Sequence, residues 1–376
     1  MKKARFLLVT LIFITLILPV GVFSAELELS SLSACLMEPV TGKVLYEKNA
    51  DEKLEPASVT KIMSLILVFE AMDQGKFDVN TEVSASEYAS SMGGSQIWLE
   101  PGETMTVNEM LKAVVVASAN DCTVAFAELV SGSEESFVEK MNDKAKELGM
   151  ENTHFSNCTG LPVDNHYTTA RDIAIMTREL HKHPEVYDYT RIWMDTLRNG
   201  EFGITNTNKL IRFYSGATGM KTGYTSSALY CMSATAQRGN MNLIAAVMKS
   251  DSSDKRFADA KKLLDYGFAN YAFYEPETPK LEKVKVLGGK KEFLKCDVLQ
   301  SGMLVQKGRE GKITCEINLE KEVKAPVEKN EKVGSVQYFS EGQKISEFDI
   351  VASEDVEKLT LRDLFLKYLC KCITVR

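Results

Sequence analysis

The sequence has few histidines, the side chains that most often bind zinc. Its four histidines show no spacing typical of zinc ligands: His154, His166, His181 and His183. A metal-dependent enzyme would need histidines and aspartates in clusters, so we expect neither a metal nor another cofactor. The sequence also contains no internal repeat and no low-complexity tract, which favours ordinary globular domains.

Cysteines are scattered and form no recognisable motif. The eight positions are Cys35, Cys122, Cys158, Cys231, Cys296, Cys315, Cys370 and Cys372. This spacing does not suit a zinc site, and the last two are not a Cys-x-x-Cys pair. A chain of 376 residues buries a sizeable core without needing disulfides. We therefore expect most of these side chains to be buried free thiols and predict no disulfide pair.

One long apolar run lies at the N-terminus. Lys2, Lys3 and Arg5 precede an apolar stretch over residues 6–20, and small residues follow as far as Ala25. This order predicts a secretory signal peptide over residues 1–25 and therefore an exported protein. An uncleaved N-terminal anchor is the alternative that the same pattern allows.

The sequence lacks an excess of basic residues. The net charge is −7, and loss of the three basic residues of the predicted signal peptide would take it to −10. Such an acidic chain argues against nucleic acid as a partner.

The length and the order of predicted elements suggest two domains and an appendage. Residues 26–275 combine a hairpin around Gly42, several helices and a late series of short strands at 209–214, 220–223, 229–234 and 243–247. Residues 275–279 have the composition of a linker. Short alternating strands follow at 284–287, 293–299, 303–305, 313–317, 333–339 and 345–351. We therefore predict a mixed α/β domain with an antiparallel sheet flanked by helices, and a small all-β domain over 281–353.

The C-terminal segment, residues 356–376, differs from both domains. From Leu364 on, apolar residues leave one narrow polar seam formed by Asp363, Lys367, Lys371 and Thr374, and the net charge of residues 356–376 is +3. The run is too short, and too broken by lysines, to span a bilayer, which needs about 20 apolar residues. It predicts an amphipathic helix lying at a membrane surface. A helix docked on the protein's own core is the alternative.

The first candidate for chemistry is the stretch Ser58-Val59-Thr60-Lys61. Apolar residues recur at spacings of three and four as far as Met72, which predicts an amphipathic helix with Ser58 and Lys61 on one face of its first turn. A serine hydroxyl needs a nearby base to become a nucleophile, and a lysine becomes that base when its pKa is lowered. The motif is weak alone: a second copy, Ser252-Ser253-Asp254-Lys255, lacks an apolar run and is interpreted as a solvated loop.

Two further motifs strengthen this candidate. Ser118-Ala119-Asn120 interrupts two apolar segments, and Lys221-Thr222-Gly223 lies on a predicted strand. Each has an ordinary structural interpretation, as a helix end or as a strand and turn. Together and in this order, the three motifs are those of β-lactamases and penicillin-binding proteins.

Around each motif the sequence resembles the low-molecular-mass serine D-alanyl-D-alanine carboxypeptidases, peptidase family S11. The resembling stretches are Gly42 to Tyr46, Asn49-Ala50, Pro56 to Lys61, Met141-Asn142, Glu147 to Met150, Thr159-Gly160-Leu161, Ala170-Arg171-Asp172 and Lys221 to Thr225. The resemblance covers nearly all of the predicted mature chain. It implies a serine transpeptidase or β-lactamase-like catalytic domain, and such enzymes often carry a small β domain and an amphipathic tail.

The resemblance implies a serine acyl-enzyme mechanism on peptidoglycan stem peptides that end in D-Ala-D-Ala. Ser58 would be the nucleophile and Lys61 the general base, with Lys221 nearby helping to lower its pKa. Ser118 would relay a proton, and Asn120 would orient Lys61 and hold the substrate amide. The implied substrate-binding residues are Lys221, Thr222 and Thr225, which would hold the terminal carboxylate, and Gly223, which would let the peptide backbone approach the strand closely. The implied oxyanion donors are the N–H groups of Ser58 and Tyr224.

The same resemblance implies β-lactam antibiotics as covalent inhibitors and a location at the outer face of the cytoplasmic membrane or in the cell wall. Two other functions are open at this point, a β-lactamase and a catalytically idle penicillin-binding wall protein. A class A β-lactamase would have a Glu-x-x-Leu-Asn stretch between the second and third motifs, and none occurs between Asn120 and Lys221. The intact trio argues against an idle protein. Carboxypeptidase and endopeptidase cleavage both remain open.

Overall fold

The structure is a computed structural model that describes residues 27–299, 302–309 and 312–365. The predicted signal peptide and most of the predicted membrane-surface helix lie outside these ranges. The strands of the first unit are β1 (Ser33–Glu38), β2 (Lys43–Lys48), β3 (Glu82–Ser84), β4 (Thr104–Thr106), β5 (Met194–Leu197), β6 (Phe202–Thr205), β7 (Ala217–Thr225), β8 (Leu229–Arg238), β9 (Met241–Ser250) and β10 (Tyr271–Tyr274). Its helices are α1 (Lys61–Asp73), α2 (Glu87–Ser90), α3 (Val107–Lys112), α4 (Asn120–Ser131), α5 (Glu134–Glu147), α6 (Ala170–Leu180), α7 (Val186–Thr190), α8 (Leu210–Phe213) and α9 (Ser253–Asn270).

An antiparallel sheet with the order β2-β1-β9-β8-β7 organises the described part of the first unit. Alternate residues of β9 point to opposite faces, so Ile244 and Ala246 join the core beneath α1 and α6, whereas Leu243 and Ala245 pack on the side of α9. Both faces are therefore buried, which explains why the strand is apolar without a break from Leu243 to Met248. The mixed α/β prediction and its late antiparallel meander are confirmed.

Helix α1 runs through the core. Ten of its thirteen residues are buried, so it is enclosed on nearly every side rather than amphipathic as predicted. The prediction placed Ser58 in the first turn of this helix, but the α-helix begins at Lys61 and Ser58 lies in a 3-10 turn over Ala57–Thr60. The nucleophile candidate is thus on a short turn joined to a buried helix.

Two local predictions are wrong. The stretch 209–214 was predicted as a strand, but Leu210–Phe213 form the one-turn helix α8, and the Asn208 side chain just before it accepts a hydrogen bond from Leu210 N at 3.0 Å. The second Ser-x-x-Lys copy is the N-terminus of α9 rather than a loop, because Ser252 caps it by accepting from Lys255 N. The side chain of Lys255 remains exposed and pairs with Asp251.

The second unit contains β11 (Val284–Leu287), β12 (Phe293–Leu294), β13 (Cys296–Val298), β14 (Met303–Gln306), β15 (Ile313–Leu319), β16 (Glu322–Lys324), β17 (Lys332–Ser340) and β18 (Gln343–Ala352). They form sheets of order β12-β11-β16 and β13-β18-β17-β15 around a core that includes Val284, Val336 and Ile350. The all-β prediction is confirmed, although β10 and β16 were not predicted.

Strand pairings cross the predicted limits of the β domain at both of its ends. Strand β10 follows α9 directly and pairs with β14, so the end of the first unit contributes to a sheet with the second. Buried Val356 forms a bridge with Val327, so the β domain extends beyond residue 353. The predicted tail helix therefore does not begin at 356; helix is present from residue 361 to 365, where the described chain ends.

The described residues include six of the eight cysteines and every helix named above. Cys35, Cys122, Cys158 and Cys231 are buried free thiols, whereas Cys296 is half-buried and Cys315 is exposed. Every helix in the described ranges is too short or too polar to cross a bilayer.

Candidate active site

The Ser-x-x-Lys pair is assembled where the 3-10 turn meets α1. The Nζ of Lys61 lies 3.0 Å from the Oγ of Ser58. The half-buried Ser58 side chain meets the fully buried Lys61 side chain at this point. We call Ala57–Thr60 the nucleophile turn.

The environment of Lys61 favours a neutral amine. Burial lowers its pKa to about 7. Its Nζ contacts Asn120 Oδ1 at 2.6 Å and Thr159 O at 2.7 Å, and both are acceptors only. A neutral amine has two N–H donors for these oxygens, which leaves its lone pair for the hydroxyl of Ser58. The arrangement therefore suits proton transfer from Ser58 to Lys61.

The second motif supplies residues from a break between two helical segments. A π-turn over Ala113–Ala117 ends at Ser118, whose positive φ of 65° turns the chain before α4 begins at Asn120. The Nδ2 of Asn120 donates to Gly93 O at 2.7 Å, which fixes the amide with Oδ1 towards Lys61. Asn120 therefore holds the Lys61 amine in a fixed position.

The third motif lies on β7, which forms one end of the described sheet. Buried Lys221 donates from Nζ to Ser118 Oγ at 2.7 Å and to Thr222 O at 3.1 Å. Burial, and then the charge of Lys61, hold the pKa of Lys221 well below its usual range. The sequence led us to expect that Lys221 would lower the pKa of Lys61. The structure gives burial as the main cause for Lys61, and the charge effect acts on Lys221.

Strand β7 lies directly against the nucleophile turn. A Cβ on Gly223 would be 2.7 Å from Pro56 O and 3.0 Å from Ser58 N, so only glycine permits this approach. The backbones of Ser58 and Tyr224 are thereby brought close together. Thr222 Oγ1 donates to Thr207 Oγ1 at 2.7 Å, whereas Thr225 Oγ1 accepts from Ala228 N in the β7–β8 turn.

His166 is a residue whose part in the site sequence reasoning missed. Ser156 N donates to its Nδ1 at 3.0 Å, so the neutral ring carries its proton on Nε2, 2.8 Å from Thr60 Oγ1. Thr60 in turn donates to Ala57 O at 2.8 Å. Burial lowers the pKa of His166 to about 4, which keeps the ring neutral at pH 7. This chain of hydrogen bonds holds the nucleophile turn, and no local sequence signal marks it.

Two more contributors come from distant segments. The backbone carbonyl of Thr159 binds Lys61, and a backbone atom has no sequence signature. Arg256, near the start of α9, donates from Nη1 to the carbonyls of Gly223 and Cys231 at 3.1 and 3.2 Å. Arg256 therefore fixes the backbone of β7 at Gly223, the residue that contacts the nucleophile turn.

Gly160 provides a sharp test of how tightly the nucleophile turn is held. Its φ is +85°, and a Cβ there would lie 1.9 Å from Ala57 O and 2.9 Å from Ser58 N. We expect Gly160→Ala to displace the turn and to slow the predicted acylation of Ser58 about 100-fold, because a 1 Å misplacement of a reacting group costs about that much. Stopped-flow measurement with a fluorescent penicillin would give the rate.

Gly149→Ala is the matched control for this substitution. Its φ is +73°, and no atom lies within 4 Å of the added Cβ. It therefore carries the backbone strain of about 1 kcal/mol without the clash, and acylation should be unchanged. Equal acylation rates in the two variants would contradict the proposed contact between Gly160 and the turn.

Family sequence models match both units. The model described as D-alanyl-D-alanine carboxypeptidase, peptidase S11, matches residues 21–252. The model described as penicillin-binding protein 5, C-terminal domain, matches residues 268–358.

Similar proteins extend over most of the chain. DacF of Bacillus subtilis strain 168, a D-alanyl-D-alanine carboxypeptidase, is 44% identical over 345 residues, covering 90% of this chain and 89% of that protein. Penicillin-binding protein 5 from Haemophilus influenzae has a TM-score of 0.80 and 30% identity, covering 88% of this chain and 99% of that chain. Penicillin-binding protein D2 from Listeria monocytogenes, solved in an ampicillin-bound form, has a TM-score of 0.59 and 31% identity, covering 65% of this chain and 99% of that chain.

Proposed function

Because the chain belongs to the D-alanyl-D-alanine carboxypeptidase family, peptidase S11, and is a serine-type enzyme of that class, we propose that it removes the terminal D-alanine from peptidoglycan pentapeptide stems through an acyl ester on Ser58. The observation that carries this proposal is the contact between Ser58 and the buried amine of Lys61. That pair supplies both a nucleophile and its base.

Acylation begins as the Oγ of Ser58 attacks the carbonyl of the penultimate D-alanine. The proton of the hydroxyl moves to Lys61 Nζ as the new C–O bond forms. The peptide C–N bond then breaks, and the leaving amine takes up a proton that Ser118 relays from Lys61. Asn120 keeps the amine of Lys61 in place and holds the amide of the substrate. The backbone N–H groups of Ser58 and Tyr224 stabilise the oxyanion, each by about 3 kcal/mol.

The terminal carboxylate of the substrate binds at the other end of the site. Lys221 and the hydroxyl of Thr222 receive it, with a further contribution from Thr225. Gly223 allows the peptide backbone to approach β7 closely. Water then hydrolyses the acyl ester and restores Ser58, so one D-alanine is released per cycle.

We infer that β-lactams acylate the same serine and that this ester is long-lived. The chain lacks the Glu-x-x-Leu-Asn stretch through which class A β-lactamases deacylate rapidly. The ampicillin-bound form of the Listeria relative supports β-lactams as ligands of this fold.

The deciding experiment combines labelling with product release. A fluorescent penicillin should label the wild type stably and should not label Ser58→Ala, and diacetyl-Lys-D-Ala-D-Ala should release D-alanine only with the wild type. Ser252→Ala, in the second Ser-x-x-Lys copy, is the matched control and should behave as the wild type does. Rapid turnover of the penicillin would favour a β-lactamase, and stable labelling without D-alanine release would favour an idle binding protein.

We propose that the protein acts outside the cytoplasm, as the location of peptidoglycan requires. Residues 1–25 would be the signal peptide, residues 26–275 the catalytic domain and residues 281–353, extended by the pairing of Val356, the β domain. The charge of +3 on residues 356–376 supports a tail that binds the membrane surface.

Truncation tests the membrane proposal. Because Val356 belongs to the β domain, the informative truncation removes residues 361–376 and leaves that pairing intact. The truncated protein should lose sedimentation with vesicles containing anionic lipids while its peptide hydrolysis stays unchanged. Undiminished sedimentation would refute the membrane role of the tail.

A further inference from the structure

A cavity of about 350 Å³ adjoins the nucleophile turn and has no part in the mechanism above. Its walls come from residues 53–55, the loop at 163–167, the β7–β8 turn and the end of β9. The charged residues that line it are Lys53, Glu55, Asp164 and Lys249. Two cations and two anions around one small cavity suit a ligand that carries both an ammonium and a carboxylate group.

Glu55 connects this cavity to the active site. It stands three residues before Ser58, and its carboxylate accepts a hydrogen bond from the Ser227 hydroxyl. Ser227 belongs to the turn that follows β7. The Glu55 carboxylate therefore links the residues just before the nucleophile turn to the β7–β8 turn.

A β-bulge brings Lys249 to the opposite wall. Tyr230 pairs with Ser250 and Met232 with Val247, so Met248 and Lys249 together face the single residue Cys231. Lys249 has a positive φ of 55° at this bulge. Bulges redirect side chains, and this one accounts for the presence of a lysine in the cavity wall at the end of a buried strand.

The two ends of the proposed substrate site fix the direction of the peptide along β7. The terminal carboxylate lies at Lys221 and Thr222, and the scissile carbonyl at Tyr224 N. The upstream part of the peptide therefore runs towards Thr225 and the β7–β8 turn, at about 3.3 Å per residue. The residue before the two D-alanines lies one position further, opposite Thr225, and a side chain as long as that of lysine extends from there to Ser227, at the edge of the cavity.

We propose that this cavity is the subsite for the side chain of the diamino acid that precedes D-Ala-D-Ala in the stem peptide. Glu55 binds the distal ammonium, and Lys249 binds the carboxylate that a diaminopimelate side chain carries beside it. This inference rests on the proposed function, because that function supplies the direction of the peptide.

Three substrates test the assignment. They are diacetyl-Lys-D-Ala-D-Ala, in which both amines are blocked, Nα-acetyl-Lys-D-Ala-D-Ala, with a free ammonium, and the matching diaminopimelate peptide, with an ammonium and a carboxylate. We expect kcat/KM to rise about tenfold from the diacetylated to the Nα-acetylated peptide, the first step. We expect a second tenfold rise from that peptide to the diaminopimelate peptide, the second step, because each adds one charge-assisted contact. Glu55→Gln should remove the first step, and Lys249→Gln should remove the second. Absence of either step in the wild type, or its survival in the corresponding variant, overturns the assignment.

Two exposed charges outside the cavity are the matched controls: Glu52→Gln and Lys76→Gln should keep both steps. Binding of the same peptides to Ser58→Ala, measured by calorimetry, separates the subsite from catalysis. If the wild type releases no D-alanine, the proposed function fails. Even then, the dissociation constants of the three peptides for Ser58→Ala test the subsite: they should fall from the diacetylated to the Nα-acetylated to the diaminopimelate peptide.

Discussion

Lys61→Ala is expected to lower kcat/KM for D-alanine release by about 10⁴-fold, the upper end of what a general base contributes. In the proposed mechanism the amine accepts the Ser58 proton; its Nζ lies 3.0 Å from Ser58 Oγ, and the described contacts offer no second base there. D-Alanine release from the diacetylated peptide is the measurement. Thermal unfolding would establish that the variant remains folded despite the loss of a buried side chain.

The pH dependence distinguishes a base from a structural lysine. With the pKa of Lys61 at about 7, the reactive neutral form predominates above pH 7. Below pH 7 the protonated fraction grows, so kcat/KM should fall about tenfold per unit as the pH decreases. The residual activity of Lys61→Ala should lack this acid limb.

Lys255→Ala is the matched control, because Lys255 occupies the same position in the second Ser-x-x-Lys copy but is exposed and paired with Asp251. It should retain both the wild-type rate and the acid limb. If Lys61→Ala kept more than a tenth of the activity, Lys61 would not be the base.

The trio of motifs could be predicted because its chemistry requires particular side chains. The proposed roles of nucleophile, base and carboxylate-binding lysine restrict residue types, so Ser58, Lys61 and Lys221 can be picked out as candidates in the sequence. The sheet was also predictable, since β9 is apolar on both faces and the turns between β7, β8 and β9 are short.

The features of the site that could not be predicted are contacts between residues far apart in the sequence. Thr159 contributes a backbone carbonyl to an amine 98 positions away, and His166 reaches Thr60 across 106 positions. Helix α8 was mistaken for a strand because four residues show no clear period. The low pKa of Lys221 follows from burial, which is visible only once β7 is placed against its neighbours.

Lys221→Gln is expected to lower kcat/KM for a substrate with a free terminal carboxylate by about 10³-fold, since a buried charge pair is worth about 4 kcal/mol. A peptide whose terminus is an amide has no such pair to lose. The wild type should therefore prefer the acid over the amide by a similar factor, and the variant should barely distinguish them. Lys209→Gln, an exposed lysine near the same strand, should keep the preference.

The depressed pKa of Lys221 adds a second measurement to this prediction. In the empty site, burial and the charge of Lys61 disfavour its protonated form. An incoming carboxylate reverses that balance, so its binding should draw a proton onto Lys221. Calorimetry in buffers of different ionisation enthalpy would detect this uptake with Ser58→Ala, and the uptake should vanish when Lys221→Gln is added. Equal uptake in both proteins would show that another group receives the proton, and Lys221 would then lose its assigned part in carboxylate binding.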